Sequence, residues 1–94
     1  MAMSISWEPD QRIRVVLGDA HQGEREELRE LLLTQPDIEM IGFTNDGEQA
    51  LALLRRLRPH VALLDEDLPG FGGSAVARII HRELPDVQVM VLRN

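Results

Sequence analysis

The amino-acid sequence predicts an α/β fold in which a doubly wound parallel sheet carries helices on both faces. Short runs of β-branched and other apolar residues alternate with segments whose leucines and isoleucines recur at helical spacing. The order is a strand and then a helix, three times, followed by a fourth strand, and such alternating units form parallel sheets. The 94 residues, 44% of them hydrophobic, suffice for one domain and leave no room for a second.

Four apolar runs are the predicted strands. Residues 13–17 form a β-branched run that ends at a Gly-Asp pair, and residues 61–64 are apolar throughout, as in a buried strand. Residues 38–43 alternate only in part, which places this strand nearer an edge of the sheet. Residues 87–92 form the last strand.

Three segments with helical spacing of apolar residues connect the strands. Leu28, Leu31 and Leu32 give the first helix one apolar face. Asn45, followed three positions later by Glu48, predicts a capping box at the start of the second helix. Each helix ends at or before a proline, a residue that disfavours helical geometry in the one preceding it: Pro36, Pro59 and Pro85.

The composition argues against several classes of function. The formal net charge is −6, whereas proteins that grip the phosphates of nucleic acids need a basic face. The chain has no cysteine, which excludes disulfides, thiolate zinc sites and cysteine nucleophiles. Residues 1–11 lack the features of a secretory signal and are predicted to be a flexible lead-in to a domain over residues 12–94. No apolar run approaches the roughly 20 residues of a membrane span, so we expect a soluble, cytoplasmic protein.

Two carboxylates are the candidate site residues. Asp19 follows the first strand and Asp65 follows the third, and ligands of doubly wound sheets bind beyond the carboxyl ends of the strands. Carboxylate oxygens suit Mg²⁺, and a carboxylate can attack phosphorus, so this pair allows Mg²⁺-assisted phosphorylation of an aspartate. Aspartate is also an ordinary turn residue, which is the simpler interpretation of Asp19 taken alone. Asp65 directly follows four apolar residues, which a turn explains less well.

The residues from 13 to 94 resemble the receiver domain of bacterial response regulators in two-component systems, of the LuxR/NarL type. The resemblance is strongest at NDGEQAL (residues 45–51) and LLDEDLPG (residues 63–70). It implies a flavodoxin-like fold that lacks the last helix, strand and helix of a complete receiver. It also implies a signalling module rather than an enzyme, which takes phosphate from a sensor histidine kinase and then changes a dimerisation face.

The resemblance implies a role for each matching residue. Asp65 is expected to be the phosphoacceptor, Asp19 the first acid of a Mg²⁺-binding pair, and Asp67 a further Mg²⁺ ligand through its backbone carbonyl. The loop that covers the site matches at three positions: Pro69, Gly70 and Gly73.

The sequence departs from the receiver pattern at three places. Ala20 stands where the second acid of the pair is expected, which should weaken Mg²⁺ binding. Arg93 stands where a serine or threonine is expected, and all ten basic residues are arginine, so the expected lysine is absent. Arg93 could compensate charge by pairing with Asp65, or it could be a solvent-facing residue near the end of the chain.

Three functions are left open by these departures. The first is a receiver with weakened or lost phosphotransfer, and the second is a phosphorylation-independent module for dimerisation or protein interaction. A remote third is a haloacid dehalogenase-type phosphatase, since Asp65-Glu66-Asp67 superficially matches its Asp-x-Asp motif, but the chain lacks a lysine and room for a cap. The last strand has no predicted cover, so we expect a longer regulator, or an edge-paired or swapped dimer, rather than a stable monomer.

Overall fold

The computed structural model describes residues 12–21 and 26–93, so the predicted lead-in over residues 1–11 lies outside the described residues. Strands and helices alternate in the predicted order: β1 (Ile13–Gly18), α1 (Glu26–Thr34), β2 (Ile38–Thr44), α2 (Gly47–Leu57), β3 (Val61–Asp65), α3 (Gly73–Glu83) and β4 (Gln88–Leu92). The predicted α/β class is therefore confirmed. None of the helices in the described part of the chain is long and apolar enough to cross a membrane.

The sheet is parallel throughout and has the order β2-β1-β3-β4. The strand at residues 38–44 lies at an edge, as its incomplete alternation predicts. Gly18 pairs with Leu64, and Asp65 pairs with Leu92. The carboxyl-terminal ends of β1, β3 and β4 therefore lie side by side. We call this side of the sheet, where the strands end, the site edge.

Helices pack on both faces of the sheet, and neighbouring residues of β2 show this directly. A side-chain carbon added at Gly42 would contact Leu53 and Leu57 of α2, whereas the Phe43 ring contacts Arg29 of α1. Because successive side chains of a strand point to opposite faces, α1 and α2 lie on opposite sides of the sheet.

The face under α2 and α3 is closely packed. Its core consists of strand residues from β1 and β3 and helix residues from α2 and α3 that are fully buried: Val16, Ala50, Leu54, Ala62, Leu64, Val76 and Ile80. Val87 is also buried there, although the sequence suggested that the whole last strand would be poorly covered. We call this the packed face.

The opposite face is covered only in part among the described residues. Leu32 of α1 is buried, but Leu31, expected on the same apolar face, is 57% exposed. Leu63 and its partner in the register, Met90, lie on this side of the sheet, and Met90 is also 57% exposed. We call this the open face. The poor cover expected for the last strand is thus found on this face, where α1 packs mainly against β2.

The start of α2 differs from the prediction by one residue. Asp46, not Asn45, is the N-cap: its backbone is extended and its Oδ1 accepts a hydrogen bond from the Gln49 N–H at 3.0 Å. The sequence offers two capping residues in succession, and the backbone geometry selects the second. The helix ends as expected beside Pro59, through Arg58 in a left-handed conformation.

Candidate functional site

The ends of β1 and β3 bring Asp19 and Asp65 together. Both residues are buried, at 5% and 1% exposure. Two successive N–H groups contact them: Ala20 N–H donates to Asp65 Oδ2 at 3.2 Å, and His21 N–H donates to Asp19 Oδ1 at 3.0 Å. Asp19 and Asp65 therefore follow or end neighbouring strands on the same side of the sheet, and consecutive N–H groups of the β1–α1 connection contact both carboxylates.

Asp67, in the loop after β3, contacts the connection that follows β1. Its Oδ2 is 3.3 Å from His21 Nε2, and both side chains are partly exposed. The sequence analysis did not identify His21 as a site residue and missed this contact. The signal that could have revealed it is position, since His21 follows Asp19 by two residues in the connection that borders the site.

The β3–α3 loop is tightly bent and anchored near both of its ends. The Pro69 carbonyl accepts a hydrogen bond from Gly47 N–H at 2.9 Å, which ties the loop to the start of α2. Gly70 has φ of 82°, a conformation that favours glycine. A side-chain carbon at Gly73 would lie 2.8 Å from the carbonyl oxygen of Leu64, so glycine allows α3 to begin against the end of β3.

Glu66 caps α3 from the loop. Its Oε1 accepts a hydrogen bond from Ser74 N–H at 3.2 Å and its Oε2 accepts one from the Ser74 hydroxyl, whereas Gly72 at the N-cap has no side chain to do so. The pKa of Glu66 is lowered, first by the Ser74 hydroxyl, then by the Ser74 N–H and finally by Arg93. Glu66 is thus held as a carboxylate at the helix N-terminus, where the dipole of the helix also favours negative charge.

Arg93 contacts Glu66 rather than Asp65, which corrects the pairing expected from the sequence. Its Nη2 lies 3.2 Å from Ser74 Oγ and 3.4 Å from Glu66 Oε2, and 70% of the side chain is exposed. The sheet register explains the difference, because Glu66 N–H donates to the Leu92 carbonyl and places Glu66 beside the end of β4.

Asp19, Asp65 and Asp67 are residues of the type that binds magnesium. Magnesium retains several waters and needs one or two carboxylates, which Asp19 and Asp65 supply, and the Asp67 carbonyl is the third oxygen expected. The side chain of Ala20 offers no oxygen. Within residues 12–21 and 26–93, no three or more His, Asp or Glu side chains come together as a group that could hold a metal ion.

Comparison with known proteins gives consistent matches. The family model described as the response regulator receiver domain matches residues 15–93. The transcriptional regulatory protein LiaR of Bacillus subtilis is 41% identical over 82 residues, which are 87% of this chain and 39% of LiaR. The transcriptional regulatory protein DegU of Brevibacillus brevis is 34% identical over 83 residues, 88% of this chain and 35% of DegU. The chain thus spans between a third and two fifths of these relatives.

Solved structures agree with the sequence matches. The signal receiver domain of the putative response regulator NarL from Mycobacterium tuberculosis superposes with a TM-score of 0.83 at 32% identity. The match covers 88% of this chain and 67% of that domain. The chain therefore belongs to the response regulator receiver domain family of two-component signalling.

Proposed function

We propose that this chain is a phosphate-accepting receiver with weakened magnesium binding, and that Asp65 is its phosphoacceptor. The observation that carries the proposal is the placement of Asp65. It is buried at the end of β3 beside Asp19, with Oδ2 3.2 Å from the Ala20 N–H. The phosphoryl donor is a sensor histidine kinase, as the family implies, and the receiver itself acts in the cytoplasm.

The reaction is a phosphoryl transfer from a phosphohistidine to a carboxylate. The bond between phosphorus and the histidine nitrogen breaks, a bond between phosphorus and an Asp65 oxygen forms, and the histidine nitrogen keeps the electron pair. A magnesium ion, when bound, neutralises charge on the transferred group. Asp19, Asp65 and the carbonyl of Asp67 would hold it, and Ala20 removes one carboxylate from that set.

In this proposal, the β3–α3 loop holds Asp65 in position. Pro69 is tied to Gly47, and Gly73 brings α3 against the end of β3, which holds the loop close to the acceptor. Gly70 provides the left-handed turn between them. Positioning of this kind accounts for most of the catalysis of phosphoryl transfer.

Transcription is the process that we propose this receiver controls, by analogy with relatives named as transcriptional regulatory proteins. The segment itself acts through protein contacts, not by binding DNA, since its net charge is −6. The family match over residues 15–93 favours this function over a haloacid dehalogenase-type phosphatase.

The proposal is tested by incubating the chain with acetyl phosphate and Mg²⁺ and recording the intact mass. We expect a phosphoryl adduct that Asp65→Asn abolishes, and a larger adduct at equal Mg²⁺ in Ala20→Asp, which restores the missing carboxylate. An adduct that persists in Asp65→Asn would place the acceptor elsewhere. Absence of any adduct, even in Ala20→Asp, would overturn the proposal.

A second candidate function is a phosphorylation-independent module for self-association. The open face favours it, because Met90 is 57% exposed on β4, which is an edge strand in the described sheet. Sedimentation at micromolar concentration should show an edge-paired or swapped homodimer that Met90→Lys weakens, with Arg82→Lys on exposed α3 as a control. A monomer at every concentration would contradict this function.

A further inference from the structure

α2 and α3 border a groove on the surface of the molecule, which we call the arginine groove. It has a volume of about 570 Å³, and part of its lining is apolar: Phe71, Ala75 and Ile79. The Phe71 side chain is 40% exposed. Three arginines also line the groove: Arg55, Arg78 and Arg82. The groove therefore combines apolar surface with positive charge, in a chain whose formal net charge is −6.

Two of these arginines have no acidic partner among the described contacts. Arg55 is held by Glu83 through two hydrogen bonds at 2.7 and 2.8 Å, so their charges offset each other. Arg78 and Arg82 take part in none of the ion pairs found in the described part of the chain. Both are exposed and lie four positions apart on α3, a spacing at which like charges destabilise a helix slightly. The groove thus favours a partner that brings negative charge.

The exposed face of α1 has the complementary composition. Glu26 and Glu30, which we call the acidic pair, are exposed, lie four positions apart and also have no ion pair among the described contacts. By helical geometry they lie between Leu31 and Leu33 around the helix, and these leucines are 57% and 58% exposed. The Arg29 guanidinium lies over an aromatic ring of β2. This face therefore offers two carboxylates with apolar surface on either side.

The two surfaces cannot meet within one molecule. α1 lies on the side of the sheet opposite α2, whereas α2 and α3 pack together on the other side. A contact between them must therefore join two copies of the chain. Such a contact is heterologous, because each copy offers α1 to one neighbour and the arginine groove to another.

We propose that the arginine groove binds α1 of a second copy of this chain, with the acidic pair of one copy facing Arg78 and Arg82 of the other. The exposed leucines of α1 then cover part of the apolar lining of the groove. Each like-charge pair gains opposite charges as neighbours, which relieves a repulsion within its own helix. Charge complementarity of this kind selects the partner and fixes how the two surfaces align.

The contact should be weak and sensitive to salt. One helix in a groove buries less surface than an interface of standard size, and salt screens charges that lie at the surface. Sedimentation is therefore recorded up to about 1 mM protein, so that a dissociation constant in the millimolar range is detected. We expect the mean mass to rise with protein concentration and to fall when salt is added. A monomer at every concentration would overturn the inference.

Two charge reversals test the two surfaces separately. Arg78→Glu alters the groove and Glu30→Arg alters the acidic pair, and each turns a like-charge pair of its own helix into an attractive one, so both variants should stay folded. Either change alone should raise the dissociation constant at least about tenfold, because like charges then face each other. Arg56→Glu makes the same reversal at an exposed position of α2 outside the groove. This matched control should associate as the parent chain does.

Mixing the two reversals is the most selective experiment. Arg78→Glu keeps an intact α1 and Glu30→Arg keeps an intact groove, so an equimolar mixture regains the native contact that each variant alone has lost. We expect association to return in the mixture, and native mass spectrometry should show pairs that contain one copy of each variant. A mixture that stays monomeric, or an association that survives both single reversals, would contradict the proposed contact.

Two further variants separate this contact from the functions proposed above. Met90→Lys weakens pairing through β4 but lies outside both surfaces, so association through the groove should persist in it. Asp65→Asn removes the acceptor of the proposed function and should also associate as the parent chain does. Loss of association in either variant would overturn the inference. Because neither surface includes Asp65, a failure of phosphorylation leaves the inference standing, and a failure of association leaves the proposed function standing.

Discussion

The two faces of the sheet differ in how completely they are buried, although the same strands form both. Leu64 lies on the packed face and is fully buried under α2 and α3, whereas its neighbour Leu63 lies on the open face and is half-buried. Met90, next to Leu63 in the register, is 57% exposed. The comparison shows that, among the described residues, α2 and α3 bury the packed face, whereas side chains of the open face remain partly in contact with solvent.

The largest expected effect is a difference in stability between truncations on the packed face and on the open face. Leu64→Ala should lower the free energy of unfolding by about 2–5 kcal/mol, because it leaves a cavity among fully buried side chains. Met90→Ala should change it by less than about 0.5 kcal/mol, since the side chain is mostly in contact with solvent. Urea unfolding of both variants checks the pair. Equal losses would show that the open face is covered in solution.

The second effect concerns the close approach of α3 to β3 on the packed face. Gly73→Ala places a methyl group 2.8 Å from the Leu64 oxygen and 2.9 Å from the Asp65 oxygen, and the backbone must shift. We expect a loss of about 1–3 kcal/mol, typical of overpacking.

Gly70→Ala is the matched comparison for Gly73→Ala. An added carbon at Gly70 meets nothing closer than 4.0 Å, so its cost comes from the left-handed φ alone, about 1–2 kcal/mol. Both variants can be followed by thermal unfolding and by hydrogen exchange of the loop amides. Faster exchange confined to Gly70→Ala would show that α3 is not pressed against β3.

The third effect is expected on the side of the sheet that α1 covers. The Arg29 guanidinium lies 4.8 Å from the centre of the Phe43 ring and ties α1 to β2. Arg29→Ala should lower stability by about 0.5–1 kcal/mol, the value of an exposed cation–π contact. Arg78→Ala, which alters an exposed arginine of α3, is the control. Equal changes in the two variants would assign the effect to helix propensity instead.

The smallest effect is that of the exposed ion pair that joins α2 to α3. Arg55 Nε and Nη2 donate to the two Glu83 oxygens at 2.8 and 2.7 Å, and the Arg55 hydrogen bond lowers the pKa of Glu83 below its ordinary value of 4.5. Because the pKa of Glu83 is lower in the folded than in the unfolded protein, the ionised Glu83 stabilises the fold at pH values above its unfolded-state pKa. This stabilisation is lost as the pH falls through the folded-state pKa. Glu83→Gln should therefore destabilise slightly at pH 7, and the difference from the parent chain should disappear in acid.

Urea unfolding at pH 7 and below pH 4 measures this pH dependence. Glu48→Gln is the control, because no ion pair of Glu48 is present among the described contacts. A difference between Glu83→Gln and the parent chain that is the same at both pH values would contradict the electrostatic origin.

Local pattern predicted the strands, the helices and the neighbouring positions of Asp19 and Asp65. These follow from periodicity and from the rule that parallel strands present their carboxyl ends together. The exposure of Leu31 could not be predicted, because its spacing fits the core face and only the placement of α1 over β2 leaves it in solvent. The partner of Arg93 depends on the register between β3 and β4, which no local pattern encodes. Both Asn45 and Asp46 are suitable N-cap residues, and only the extended backbone of Asp46 in the structure shows which of them caps α2.

The strand order has a consequence for how the chain acquires its structure. β1 lies between β2 and β3, and Arg14 N–H is hydrogen-bonded to a His60 ring nitrogen 46 residues further along. Contacts of such long sequence separation slow folding, because a long loop must close before the central strands pair. During synthesis, β1 and β2 precede β3, so the edge of β1 that pairs with β3 stays unpaired until β3 has emerged. An unpaired strand edge is a site of aggregation in a nascent chain.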